Sequence, residues 1–108
     1  MAKLTSHVLD IFNGRPAANM KIELWRLKPR SLITEIFTNQ DGRCAVPLLE
    51  GDSMEVAEYE LVFFVRDYFG ECPLLNTVPI RFTIFDAGQN YHIPLLVSPW
   101  AYNTYRGS

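Results

Sequence analysis

Two histidines, His7 and His92, are all the imidazole this chain carries, and imidazole is the side chain that takes up and returns a proton near neutral pH. Arg43 stands between them in the stretch Thr38-Asn39-Gln40-Asp41-Gly42-Arg43. A guanidinium never gives up its charge. The chain closes on Tyr105-Arg106-Gly107-Ser108, shortly after Tyr91-His92-Ile93-Pro94-Leu95-Leu96-Val97. Tyr105 offers a phenol and Ser108 a hydroxyl, each able to donate and accept a hydrogen bond. Termini are usually polar and mobile. This one reads as strand, turn and returning strand, which pins its last residues where they can serve a site.

Taken singly, these residues have a plainer reading. A lone strand histidine is more often a hydrogen-bonded structural group than a catalyst. Zinc needs three or four well-placed ligands, and neither His-x-His nor Cys-x-x-Cys spacing occurs; the expectation is no metal and no cofactor. Ser6 beside His7 suggests a nucleophile and its base, but adjacent strand residues face opposite ways. Arg43 precedes Cys44 and can lower its pKa, yet one neighbouring charge is thin evidence of reactivity. Cys44 and Cys72 are expected to be reduced thiols that fill space. Trp25 and Trp100 read as packing or interface aromatics, and Arg106 as a surface or salt-bridged residue.

The elements that must position these groups are strands. Leu4 to Ile11 is apolar and β-compatible, and Asn13-Gly14-Arg15-Pro16 is turn chemistry. Met20 to Leu27 alternates, with Met20, Ile22 and Leu24 on one face. Leu32 to Thr38 resumes in β-formers and Asn39 to Gly42 reverses the chain. Leu48 to Glu58 reads as an acidic surface loop, and Tyr59 to Arg66 as a central strand with apolar residues on both faces. Asp67 to Asn76 is the one place for a short helical turn. Val78, Ile80, Phe82 and Ile84 keep a clean period of two, Leu95 to Val97 supplies a core strand, and Ala101 to Tyr105 returns from the turn at Ser98-Pro99. About eight short strands with at most one helical turn make an all-β sandwich.

The chain has 108 residues, 48% of them hydrophobic, enough for one core and one domain spanning 1–108. With 10 Lys+Arg against 12 Asp+Glu and no basic stripe, nucleic acid and anionic membrane are poor partners. No stretch approaches the ~18–20 apolar residues of a membrane span. Met1 to Ser6 carries no apolar run, so the expectation is a protein without a signal peptide, working in the cytoplasm. A two-faced apolar strand and an aromatic tail leave apolar surface on a monomer, a weak hint of oligomerisation.

The tail, together with Leu4-Thr5-Ser6-His7-Val8-Leu9-Asp10 and Thr38 to Arg43, resembles the 5-hydroxyisourate hydrolases of the transthyretin-like family. These end in Tyr-Arg-Gly-Ser after a Tyr-His-(Ile/Val)-Pro-Leu-Leu segment, and the terminal tetrapeptide separates them from the hormone carriers of the same fold. The resemblance implies a transthyretin-like sandwich of two four-stranded sheets and a homotetramer with a channel between dimers. It also implies hydrolysis of 5-hydroxyisourate in urate catabolism, with no metal. Residue by residue, it maps His7, Arg43 and His92 onto the family's active-site positions. Tyr105 and Ser108 arrive with the tail, which a neighbouring subunit contributes to the site. On this reading His7, Arg43, His92 and Ser108 are catalytic, and His7, Arg43 and Tyr105 bind substrate. Two positions depart from the family pattern, Asn90 for a common histidine and Asn103 for a common serine. The alternative is a non-catalytic carrier that binds a small aromatic ligand in the tetramer channel; a purely structural sandwich leaves the tail unexplained.

Overall fold

The computed structural model describes residues 1–71 and 74–108. Among the described residues nine strands, one short α-helix and a 3-10 turn follow in the order β1 (Lys3–Asp10), β2 (Arg15–Pro16), β3 (Lys21–Leu27), β4 (Arg30–Phe37), β5 (Leu49–Glu50), the 3-10 turn Gly51–Ser53, β6 (Ala57–Phe63), α1 (Val65–Phe69), β7 (Val78–Ile84), β8 (Tyr91–Val97) and β9 (Tyr102–Thr104). One sheet runs β4-β3-β6-β7 and is antiparallel throughout. The other runs β2-β1-β8-β9, with β5 on the free edge of β1. Its β1 and β8 are parallel and pair along seven residues, Leu4 with Tyr91 to Asp10 with Val97. That long pairing sets Thr5 opposite His92 and His7 opposite Pro94.

The inner faces close on Leu4 and Val8 from β1, Ile22 and Leu24 from β3, Tyr59, Leu61 and Phe63 from β6, and Leu95 and Val97 from β8. Because side chains alternate along a strand, these positions leave Thr5 and His7 on the outward face of β1. Two polar residues share the inward face. Ser6 donates its hydroxyl to the Ile93 carbonyl at 2.7 Å. Asp10 accepts from the Phe12 and Asn13 backbone N–H groups, the Asn13 amide and the Tyr68 hydroxyl, at 2.7–3.0 Å. Buried polar groups need such partners, and these turn the end of β1 into the following loop.

Several expected boundaries move. The central strand stops at Phe63 rather than Arg66: the Phe64 N–H still reaches the Lys21 carbonyl, but Val65 is buried as the first residue of α1. The helix therefore lies at Val65–Phe69, earlier than Asp67 to Asn76, and stops at Gly70, whose positive φ of 80° ends the turn. The rest of that expected stretch includes residues 72 and 73, outside the described part. The segment Leu48 to Glu58 is not only a solvated loop: Leu48, Leu49 and Met54 are buried and β5 pairs with β1. Four strands per sheet holds for one sheet; the other has five, made of β1, β8 and β9 with the two-residue fragments β2 and β5 held to β1 by backbone bonds.

Candidate active site

His92 sits at the centre of a cleft of about 320 Å³ on the outward face of the β1–β8 sheet, lined also by Lys3, Thr5, Ser6, Arg43, Cys44, Asn90 and Ser108. Three separate pieces of chain build it. β8 supplies His92, and β1 lays Thr5 beside it across the parallel pair. The Thr5 Oγ1 meets His92 Nδ1 at 2.8 Å. The C-terminal tail doubles back from β9, and Gly107 forms a single antiparallel bridge with His92, its N–H donating to the His92 carbonyl at 2.7 Å. That bridge carries Ser108 into the cleft.

Arg43 comes from a loop that the sequence shapes closely. The Asn39 side-chain oxygen accepts the backbone N–H groups of Asp41 and Arg43 at 2.9 and 3.1 Å. The backbone then closes the same turn, Gly42 donating to Asn39 and Asn39 to Arg43, both at 2.9 Å. Gly42 adopts φ +74°, a conformation glycine accepts without steric cost, and its carbonyl takes the Val8 N–H at 2.8 Å. The loop thus lies along the edge of β1, where Arg43 pairs with His7 through an isolated bridge. His7 Nε2 contacts the Asp41 carbonyl at 2.9 Å.

The electrostatics follow from this assembly. Burial, then the positive charge of Arg43, then His7 nearby, hold the His92 imidazole below its usual range. It is therefore neutral at neutral pH, the form able to accept a proton. Cys44, in the cleft wall, is pushed up to about 11 by burial, against a weaker lowering by a hydrogen bond from the Ser6 backbone. The thiol form is therefore favoured at neutral pH, and Cys44 packs, partly buried, against the core. Cys72 lies outside the described residues. Among the described residues no three His, Cys, Asp or Glu side chains gather.

Arg43, His92 and Ser108 thus line one cleft, and His7, bridged to Arg43, lies near enough to act on the His92 charge. Tyr105 does not join them within one chain. It is exposed and lines a second, apolar hollow with Ile80, Phe82, Phe85, Tyr91 and Ile93, on the side where β7 and β9 end their sheets. Arg106 bonds the Gln89 side chain and the Asn90 carbonyl and stacks 4.4 Å from the Tyr91 ring centroid, as a structural residue does. Asn90 accepts the Lys3 backbone N–H at 3.1 Å and so ties the start of β1 to β8. Trp25 packs under Arg30 and donates to Glu23. Thr5, Asn39 and Gly107 also build the site; Asn39 has a local signal as the first residue of a turn, Gly107 has one as part of the terminal tetrapeptide, and Thr5 has none.

The family model described as the HIUase/Transthyretin family matches residues 4–107. A 5-hydroxyisourate hydrolase 2 of Rhizobium meliloti is 49% identical, over 98% of this chain and 96% of the relative. The crystal structure of an (S)-allantoin synthase superposes with a TM-score of 0.93 at 44% identity; it covers 99% of this chain, which spans only 44% of that longer one. The structure of Klebsiella pneumoniae 5-hydroxyisourate hydrolase superposes with a TM-score of 0.85 at 27% identity, covering all of both chains. With its sandwich and its closing residues both matched from Leu4 to Gly107, the chain belongs to the HIUase/Transthyretin family.

Proposed function

We propose that this protein is a 5-hydroxyisourate hydrolase acting in urate catabolism, and that the cleft around His92 carries the reaction. One observation bears most of the weight: a histidine kept neutral by burial and by Arg43, in a cleft that Ser108 also lines. A carrier of the same fold has no use for that arrangement. The likeness to the Rhizobium meliloti and Klebsiella pneumoniae hydrolases supports the same substrate.

The substrate is a small, flat, oxygen-rich ring, and hydrolysis adds water to a ring carbonyl. His92 takes the proton from that water as its oxygen attacks the carbonyl carbon. Arg43 holds the carbonyl oxygen as it becomes an oxyanion and also orients the ring. The tetrahedral carbon then expels the ring nitrogen. The proton returns to that nitrogen through His92, His7 and the Ser108 hydroxyl, leaving an opened ring with a new carboxylate, 2-oxo-4-hydroxy-4-carboxy-5-ureidoimidazoline. No step calls on a metal or cofactor.

The working form we propose is a homotetramer. Supporting this, β7 and β9 each end a sheet on the same side, and Phe85, Tyr102 and Tyr105 are exposed there. On this reading Tyr105 binds substrate in a neighbouring copy's site rather than its own.

The test uses 5-hydroxyisourate generated in place from urate by urate oxidase. Its near-ultraviolet absorbance is followed with and without the protein, in the presence of a chelator. A large acceleration is expected. A folded protein that leaves the spontaneous decay unchanged overturns the proposal and makes ligand binding the function to examine.

A further inference from the structure

The His92 ring is gripped from two edges by residues that touch no reacting atom. On one edge the Thr5 hydroxyl meets Nδ1 at 2.8 Å. On the other the Gly107 backbone passes so close that a Cβ built there comes 2.5 Å from Cδ2 and 3.3 Å from Cγ of the ring. Gly107 is not among the glycines with positive φ, so its backbone gives no reason to exclude alanine. The ring does. Among the described residues Nε2 has no hydrogen-bond partner, and it is the remaining edge of an imidazole whose other edges are occupied.

We propose that Thr5 and Gly107 are positioning residues for the hydrolysis, setting the His92 ring so that Nε2 meets the attacking water. The inference rests on the hydrolase reading above and assigns the glycine of the terminal tetrapeptide a specific task. A threonine hydroxyl both donates and accepts, so it can follow the ring through its change of charge. With Nδ1 carrying the proton, Thr5 accepts from it and Nε2 is left bare as the base. When Nε2 has taken the proton from water, the cation still donates through Nδ1 to Thr5. Gly107 closes the other side, and its N–H bond to the His92 carbonyl fixes the backbone from which the ring projects.

The charged and titratable groups around the ring are Arg43, His7, Lys3 and Cys44. None supplies the bond that Thr5 makes to Nδ1.

Three variants test this: Thr5→Val, which keeps the shape and loses the hydroxyl; Thr5→Ser, which keeps the hydroxyl; and Gly107→Ala. Turnover is measured against pH, and the protonation and tautomer of His92 are read by NMR of protein carrying nitrogen-labelled histidine. Thr5→Val is expected to lower kcat roughly tenfold or more with KM little changed. It should also move the His92 midpoint further down and shift the neutral ring away from the Nδ1–H tautomer. Thr5→Ser is expected to restore kcat and spectrum. Gly107→Ala is expected to lower kcat and change the His92 signals while the fold survives. Wild-type kcat in Thr5→Val or Gly107→Ala, or an unchanged His92 tautomer and midpoint, overturns the proposal. Loss of turnover that serine does not rescue also overturns it. A wild-type protein that fails to hydrolyse 5-hydroxyisourate sinks the hydrolase reading instead, an outcome the unmodified protein alone reveals.

Discussion

Arg43 meets His7 of β1 through one isolated antiparallel bridge, so two residues from different segments are set side by side through their backbones. The bridge depends on Gly42. Its carbonyl accepts the Val8 N–H, and a Cβ there would drive into the Val8 carbonyl oxygen while φ stays at +74°.

Gly42→Ala is therefore expected to destabilise the protein by about 1–2 kcal/mol for the left-handed backbone alone, with the collision adding to it. Urea unfolding gives the stability. Turnover at temperatures where the variant remains folded should also fall, because Arg43 no longer sits against β1. A variant with wild-type stability and rate would separate Arg43 placement from this turn.

The environment of His92 gives a signed pH dependence. Its charged form is disfavoured in the fold, so its stability contribution is complete above the ordinary imidazole pKa of about 6.5. That contribution is lost as pH falls from there through the lowered folded value. The acid limb of kcat/KM should accordingly lie below pH ~6.5. Removing one cause tests the assignment: Arg43→Met should raise the His92 midpoint in an NMR titration. A wild-type midpoint at or above the ordinary value, or one indifferent to Arg43, contradicts it.

Far from the cleft, Tyr68 on α1 donates to the buried Asp10 carboxylate at 2.7 Å and ties the helix to the end of β1. Burial alone would raise the Asp10 pKa, yet bonds from Asn13, Tyr68 and Phe12 together outweigh it and hold the carboxyl below its usual range. Stability from this group is thus present above the ordinary Asp value of about 3.9 and is lost as pH falls through the folded value. Tyr68→Phe should cost about 1.5–3 kcal/mol, the range for hydrogen bonds to charged groups, towards the lower end because the tyrosine is only part-buried. The loss should shrink on acidification, and kcat should not change, since neither residue lines the cleft. Chemical denaturation at neutral and acidic pH reads the first effect and the absorbance assay the second. An equal cost at both pH values would remove the carboxylate from the explanation.

How far the sequence spoke depended on what kind of force set each feature. Alternating Met20, Ile22 and Leu24, and Val78 to Ile84, announced β3 and β7 because apolar burial has a period. The β1 pattern was blurred by Ser6 and Asp10, which face inward and are satisfied by hydrogen bonds no periodicity records. The β6–α1 boundary was hidden because Val65 is as buried in the helix as it would be in a strand. Edge fragments β2 and β5 rest on backbone pairing to β1, to which side-chain pattern is blind. At the site, His7, Arg43, His92 and Ser108 are named through a family resemblance; the fold lines one cleft with the last three and bridges His7 to Arg43 beside it. Thr5 reads as a β-former and Gly107 only as one letter of the terminal tetrapeptide; the closeness of each to the His92 ring gives them a part.

The most direct test of the central claim replaces His92 with asparagine, a side chain that keeps hydrogen-bonding capacity and cannot act as a base. Turnover of freshly made 5-hydroxyisourate is compared with wild type, and circular dichroism and unfolding confirm that the variant is folded. kcat is expected to fall by roughly 10²–10⁴-fold, the usual scale for a general base, with the sandwich intact. A folded His92→Asn protein that turns over substrate at the wild-type rate would contradict it, and the reaction would have to be sought away from this cleft.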